Sequence, residues 1–245
     1  MMKEQKKVSI RGKDDKDERF FCKEQIDKLR YAQEEVVWLL NRNYPISSII
    51  DLVGGRYQFS SRQRMALQRA SCSTRDLSIR NKSEINISEL KGRCINIDGF
   101  NFIIGLEVAL SKGLLISCMD GSIRDLAGLR GTYRLIDKTY IALGILGNVF
   151  RELEIEEVNF YLDEPVSNSG KLKTAIYEAA EKWNVKTNVN IVHNPDVILE
   201  KSNYVVSSDS IILDKCNGWV NLLKYIIEKY MGESWIISLN YESNK

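Results

Sequence analysis

Four short, mainly apolar runs in this chain stop on an aspartate: 94–98 (Cys-Ile-Asn-Ile-Asp), 114–120 (Leu-Leu-Ile-Ser-Cys-Met-Asp), 158–163 (Val-Asn-Phe-Tyr-Leu-Asp) and 204–209 (Tyr-Val-Val-Ser-Ser-Asp). Runs so short, bounded by turn residues, predict buried strands. Between them, Ile136, Tyr140, Leu143, Leu146 and Phe150 repeat at helical spacing, as do Leu172, Ala175, Ile176, Ala179, Ala180 and Trp183. Strands that alternate with helices predict an α/β fold, a mostly parallel sheet with helices on both faces. The strand candidates are 93–97, 114–118, 157–162, 187–192, 203–207 and 235–239. Ligands of such sheets bind beyond the carboxyl ends of the strands. Asp98, Asp120, Asp163 and Asp209 are therefore expected to gather at one edge.

Carboxylates brought together repel unless a cation joins them, and hard divalent ions prefer their oxygens. Asp98, Asp163 and Asp209 are the expected ligands of Mg²⁺ or Mn²⁺, with Asp120 as a further catalytic carboxylate. An ion held there would activate water against a phosphodiester. Asn101, Asp125, Asp214 and Glu107 are auxiliary candidates. Residues 120–134 combine charge and glycine without an amphipathic repeat, which fits a loop reaching for phosphates with Arg124, Arg130 and Arg134. A helix start near 167–173 would place Lys171 beside an anion. A plainer reading stays open for each aspartate, since an Asp after a strand also caps the next helix. Asp120-Gly121 fits a turn, and Asp209 lies among Ser207, Ser208 and Ser210.

The front of the chain is different. Residues 1–93 hold 20 Lys and Arg against 13 Asp and Glu, while the remainder holds 15 against 20. Residues 1–18 offer little to bury and are expected to be a mobile tail. Residues 19–82 read as a helical basic module. Its first helix begins near 23, its second follows Pro45, and its third opens on a Ser60–Gln63 capping box and runs to about Ala70. The arrangement is helix-turn-helix-like, and Arg56, Arg62, Arg64 and Arg69 would contact nucleic acid. A solvated basic face on a packing module is the alternative. Residues 83–92 are expected to be a linker to an α/β domain over 93–245.

Several chemistries are disfavoured. Pro165 stands where a P-loop needs glycine, and Leu172 where it needs a hydroxyl. Phe100 occupies the position of the second aspartate of a haloacid-dehalogenase-type phosphatase. No GxSxG is present, and His193 is the sole histidine, against both a Ser-His-Asp triad and a zinc site built on five scattered cysteines. Cys94, Cys118 and Cys216 are expected as small core residues. No run is long and apolar enough for a membrane span, and the lysine-rich start lacks the apolar stretch of a leader, so a cytoplasmic location is expected.

Asp98-Gly99-Phe100-Asn101 after a strand resembles the opening of PIN-like and NYN-type nuclease domains, and 208–214 resembles their late acidic segment. The chain as a whole is similar to an uncharacterised prokaryotic two-part family. Its front part, domain of unknown function 434, corresponds to about 23–72 (YPISSIIDLVGGRYQFSSRQRMAL). Its rear part, about 93–230, carries NIDGFN, DGSIRDLAGLRGTYR, LDEPVSNSG and SSDSIILD. The resemblance implies a PIN-like, Rossmann-like fold with metal on Asp98, Asp163 and Asp209. Asp120 and the arginine-glycine loop after it depart from that pattern. The expected activity is metal-dependent phosphodiester hydrolysis, with RNA favoured over DNA. The alternatives are nucleic-acid binding without cleavage, and a small-molecule phosphohydrolase. The oligomeric state is not set by these features.

Overall fold

The computed structural model describes residues 10–128 and 131–240. The front of the chain forms α1 (Asp17–Phe20), α2 (Lys23–Leu40), α3 (Ile46–Arg56), α4 (Ser61–Ala70) and α5 (Thr74–Ser83). Pro45 precedes α3, and α4 starts on the expected capping box, with Ser60 and Gln63 each bonding the other's backbone. α3 continues through Gly54 and Gly55. A Cβ at Gly54 would stand 2.7 Å from Arg64 Nε, so the glycine lets α4 lean on α3. Sequence periodicity gives no sign of α5, because its inward residue is Arg80 rather than an apolar one. The Ser73 hydroxyl, accepting from Asp76 N, was the available cue.

The expected strands all form, but in two sheets. The first has the order β5-β4-β1-β6, wholly parallel: β1 (Cys94–Asp98), β4 (Glu157–Asp163), β5 (Lys186–Val192) and β6 (Val205–Val206). The second has the order β3-β2-β7: β2 (Leu114–Ser117) runs parallel to β7 (Trp235–Ser238) and antiparallel to β3 (Ile123–Asp125). Strand β3 lies within the stretch read as an arginine-glycine loop.

Between the sheets runs α6 (Gly99–Leu110), buried at ten positions including Phe100, Phe102, Ile103 and Leu106. A helix apolar on every side has to be surrounded. α7 (Asp137–Glu152), α8 (Ser169–Ala180) and α11 (Leu222–Tyr230) complete this core. Gly99 is required where α6 begins, because a Cβ there would run into Leu162 Cδ2 and stand 3.0 Å from the Tyr161 carbonyl.

β2 is buried on both faces, with Leu115 in the α6 core and Leu114 and Ile116 in a second one. The second core joins Leu29, Val36, Ile49, Val53 and Leu67 of the front helices to Ile237 of β7. Front and rear thus share a hydrophobic interior. The stretch expected as a linker is fastened too. Leu90 is fully buried, and Ile85 N donates to the Trp219 carbonyl at 2.8 Å. So is the described part of the stretch expected as a tail. Arg11 Nε lies 2.7 Å from Glu107, and Asp17 is buried against Arg62. The attachments at Arg11 and Asp17 use charged side chains paired to distant partners, which local composition does not reveal. Cys118 and Cys216 are buried as expected; Cys94 is exposed. No helix among the described residues is long and apolar enough to cross a membrane.

Candidate functional site: aspartates at the strand ends beside a cleft

Strand β1 ends on Asp98, between β4 and β6. Register sets Asp98 level with Tyr161, so Asp163 lies two residues further along β4. Ile97 pairs with Val206, so Ser207 and then Asp209 follow at the end of β6. Three of the four expected aspartates therefore leave adjacent parallel strands at one edge. Short helices continue from it: α9 (Pro195–Leu199) after β5 and α10 (Ser210–Leu213) after β6.

Asp98 is 2% exposed and occupies the N-cap position of α6 without making a capping bond. Its Oδ2 instead accepts from Asn101 Nδ2 and from Ser207 Oγ, each at 2.7 Å. Ser207 Oγ in turn accepts from Asp209 N at 3.0 Å, so one hydroxyl joins the ends of β1 and β6. Burial pushes the Asp98 carboxyl up to about 7; the Asn101 and Ser207 bonds pull it down, and the Asp209 and Asp196 charges raise it further. Asp209 does act as a cap, its Oδ1 accepting from Ile211 N at 2.8 Å. Asp163 is half-buried, and burial raises its carboxyl.

Asp196 is a member of this group that the sequence reading missed. It sits in the first turn of α9, and its carboxyl is raised by burial first, then by Asp209, Asp163 and Glu200. The available signal was the same one used elsewhere, an acid just past a strand, but three residues (His193-Asn194-Pro195) intervene. His193 itself is exposed. Among the described residues, no three His, Cys, Asp or Glu side chains stand together as a group able to hold a metal ion.

Asp120 stands apart from this group, a correction with two physical causes. Strand β2 belongs to the second sheet, and the Asp120 carboxylate is already saturated. Oδ1 accepts from Ser122 N at 3.0 Å and Ser122 Oγ at 2.5 Å; Oδ2 accepts from Arg80 Nη1 at 2.6 Å and Arg124 Nη2 at 2.7 Å. Burial works to raise this carboxyl, but the Arg124 charge, the Ser122 bond and Arg80 together hold it below the ordinary range. Asp214 bonds Arg80 through both oxygens, at 2.7 and 3.1 Å. Asp125 accepts from Ala127 N at 2.7 Å.

The basic residues are likewise redistributed. Arg62 faces inward to Asp17 and to the carbonyls of Gly12 and Leu126. Arg64 donates to the Phe59 carbonyl, and Arg56 lies 3.1 Å from Glu35. Arg124 is buried, with all three nitrogens engaged, by the carbonyls of Ser208 and Arg69 and by Asp120. Of the four arginines expected to contact nucleic acid, Arg69 alone lines the cleft beside Asp209, a space of about 540 Å³ whose wall also includes Arg80, Asn101, Arg124 and Asp125. Arg134 and Lys171 line a different depression, near Tyr140 and Glu178. Arg130 lies outside the described residues.

Comparison with known proteins follows these two halves. A family described as a domain of unknown function (DUF5616) matches residues 87–225, more than half of the chain. The chain belongs to the DUF5616 family. A protein of unknown function family (DUF434) matches residues 28–82, ahead of the DUF5616 region. An uncharacterized protein of Methanocaldococcus jannaschii is 28% identical over 197 residues, covering 80% of this chain and 92% of that protein. No solved structure matches the chain. The two-part, uncharacterised family is thus shown. Asp98, Asp163, Asp196 and Asp209 all lie in the DUF5616 region, whereas Arg69 and Arg80 come from the DUF434 region.

Proposed function

We propose that this protein is a metal-dependent phosphodiesterase acting on nucleic acid, RNA in preference to DNA. The observation that carries this reading is the Asp98–Ser207–Asp209 linkage at the carboxyl edge of adjacent parallel strands, opening beside a cleft with Arg69 on its wall. A buried carboxylate such as Asp98, raised by burial and by the neighbouring Asp209 and Asp196 charges, is unfavourable when ionised and is relieved by a cation.

The donor chemistry suits Mg²⁺ or Mn²⁺, hard ions that take carboxylate oxygens. Asp98, Asp163 and Asp209 would hold the ion, with Asp196 in reserve. Once bound, it would lower the pKa of water and offset charge on the phosphate. The protein's own contribution is positioning. Asn101 and Ser207 fix the Asp98 carboxylate through Oδ2, a contact neither of them makes to Oδ1. Arg69, whose Nη1 donates to the Asp125 carbonyl and lies 3.6 Å from its carboxylate, would add charge at the cleft wall for the backbone of a bound strand.

A second reading has an observation of its own. No three such ligands stand together among the described residues, which favours binding of nucleic acid without cleavage. One assay separates the two. Labelled single-stranded RNA is incubated with purified protein and Mn²⁺, and Asp98→Asn is compared with wild type. Cleavage by wild type, abolished in the variant, is expected. Equal cleavage by both proteins overturns the assignment, and salt-sensitive binding without cleavage gives the second reading its case.

A further inference from the structure

Helix α10 is four residues long, too short to hold its shape unaided, yet Asp209 sits at its start. Its two ends are held by two arginines. At the front, Arg124 Nε donates to the Ser208 carbonyl at 2.6 Å. At the back, Arg80 Nε and Nη2 donate to the carboxylate of Asp214, the C-cap residue, at 2.7 and 3.1 Å. Both guanidiniums then meet on one atom, Asp120 Oδ2. Arg80 is itself fixed by Trp219, whose Nε1 donates to its carbonyl at 2.8 Å. Arg80, Asp120 and Arg124 are each under 9% exposed.

For stability alone, well-packed apolar side chains would serve such an interior position as well as buried ions do. Directed bonds do something else: they fix where a chain segment lies. We propose that Asp120, Arg80 and Arg124 form a positioning device that sets segment 208–214, and with it the Asp209 carboxylate. This role for Asp209 rests on the phosphodiesterase reading. Arg80 lies in the DUF434 region, whereas Asp120, Arg124, Ser208 and Asp214 lie in the DUF5616 region. The front helices are therefore part of how the site is built, in addition to lining the cleft. None of the three is a catalytic residue; each acts through the segment it holds.

The test uses the full chain and variants that loosen one end at a time. Asp214→Asn weakens the rear hold at a partly exposed position. Arg124→Lys keeps the charge but loses the planar fork that reaches Ser208 and Asp120 together. Hydrogen exchange resolved to peptides, and steady-state kinetics on RNA with Mn²⁺, are measured on both. Exchange across 208–214 is expected to quicken roughly tenfold, as for loss of a hydrogen bond to a charged group, while α7 and β4 peptides are unchanged. A fall in kcat of about tenfold or more with KM nearly constant is expected for a misplaced catalytic carboxylate. Exchange across 208–214 that stays at the wild-type rate, or that rises only in step with the whole protein, overturns the proposal. Wild-type protein that cuts no RNA overturns the role given to Asp209, and the exchange comparison alone then decides whether the device sets this segment.

Discussion

Asp98→Asn is expected to stabilise the protein at pH 8 in the presence of a chelator. The Asp98 carboxyl stands at about 7 in the fold against an ordinary 3.8. The folded state therefore holds a proton that the unfolded chain has released over that interval. The sign follows from linkage: the contribution of Asp98 is complete below the ordinary value and is lost as pH rises through 7. Integrated over the interval, the loss is on the order of 4 kcal/mol. Asparagine imitates the protonated acid in size and keeps an oxygen for Asn101 and Ser207. Urea denaturation should find the two proteins close at pH 4 and the variant more stable at pH 8. A wild type more stable than the variant at pH 8 would contradict this account of the site. A residue that costs stability when ionised, and lies at a strand end beside a cleft, has the character of a functional group rather than a structural one.

Asp120→Asn should do the opposite. Here the same residue type is buried with two cations on one oxygen and two donors on the other. Removing its charge leaves Arg80 and Arg124 buried without compensation at that position, which costs about 3–5 kcal/mol. Because the carboxyl is held below its ordinary range, its contribution is present above that range and is lost as pH falls through the depressed value. A shift of the urea midpoint to much lower concentration at pH 7, with the slope unchanged, is the expected result. A destabilisation under about 1 kcal/mol, the scale of an exposed pair, would remove Asp120 from the centre of the fold's electrostatics. Two buried aspartates of opposite effect thus separate site from scaffold.

That distinction was invisible in the linear chain. Asp98 and Asp120 end similar apolar runs, and nothing local says that β1 joins one sheet and β2 another. Sheet membership is decided by partners far away, Val205 and Val206 for β1 and the 235–238 strand for β2. What periodicity does carry was legible: the positions of every strand but β3, the two long amphipathic helices α7 and α8, and the Ser60–Gln63 start of α4. Helices with polar interiors escaped it, as α5 shows with Arg80. Arg56, Arg62, Arg64 and Arg69 suggested a nucleic-acid face, but Arg62 and Arg64 turn to partners, Asp17 and the Phe59 carbonyl, that no helical wheel displays. That Asp98, Asp163 and Asp209 lie at one edge was legible because a parallel sheet points all its carboxyl ends one way. Asp196 was missed because it reaches the edge from a helix.

In the proposed reading the strand-end aspartates serve a divalent cation. Crystals soaked in Mn²⁺ and measured at a wavelength where manganese scatters anomalously address it directly. The account predicts an anomalous peak bonded to Asp98 together with Asp163 or Asp209, and its loss in Asp98→Asn. Peaks confined to other carboxylates, with the edge of β1, β4 and β6 empty at saturating Mn²⁺, would contradict it.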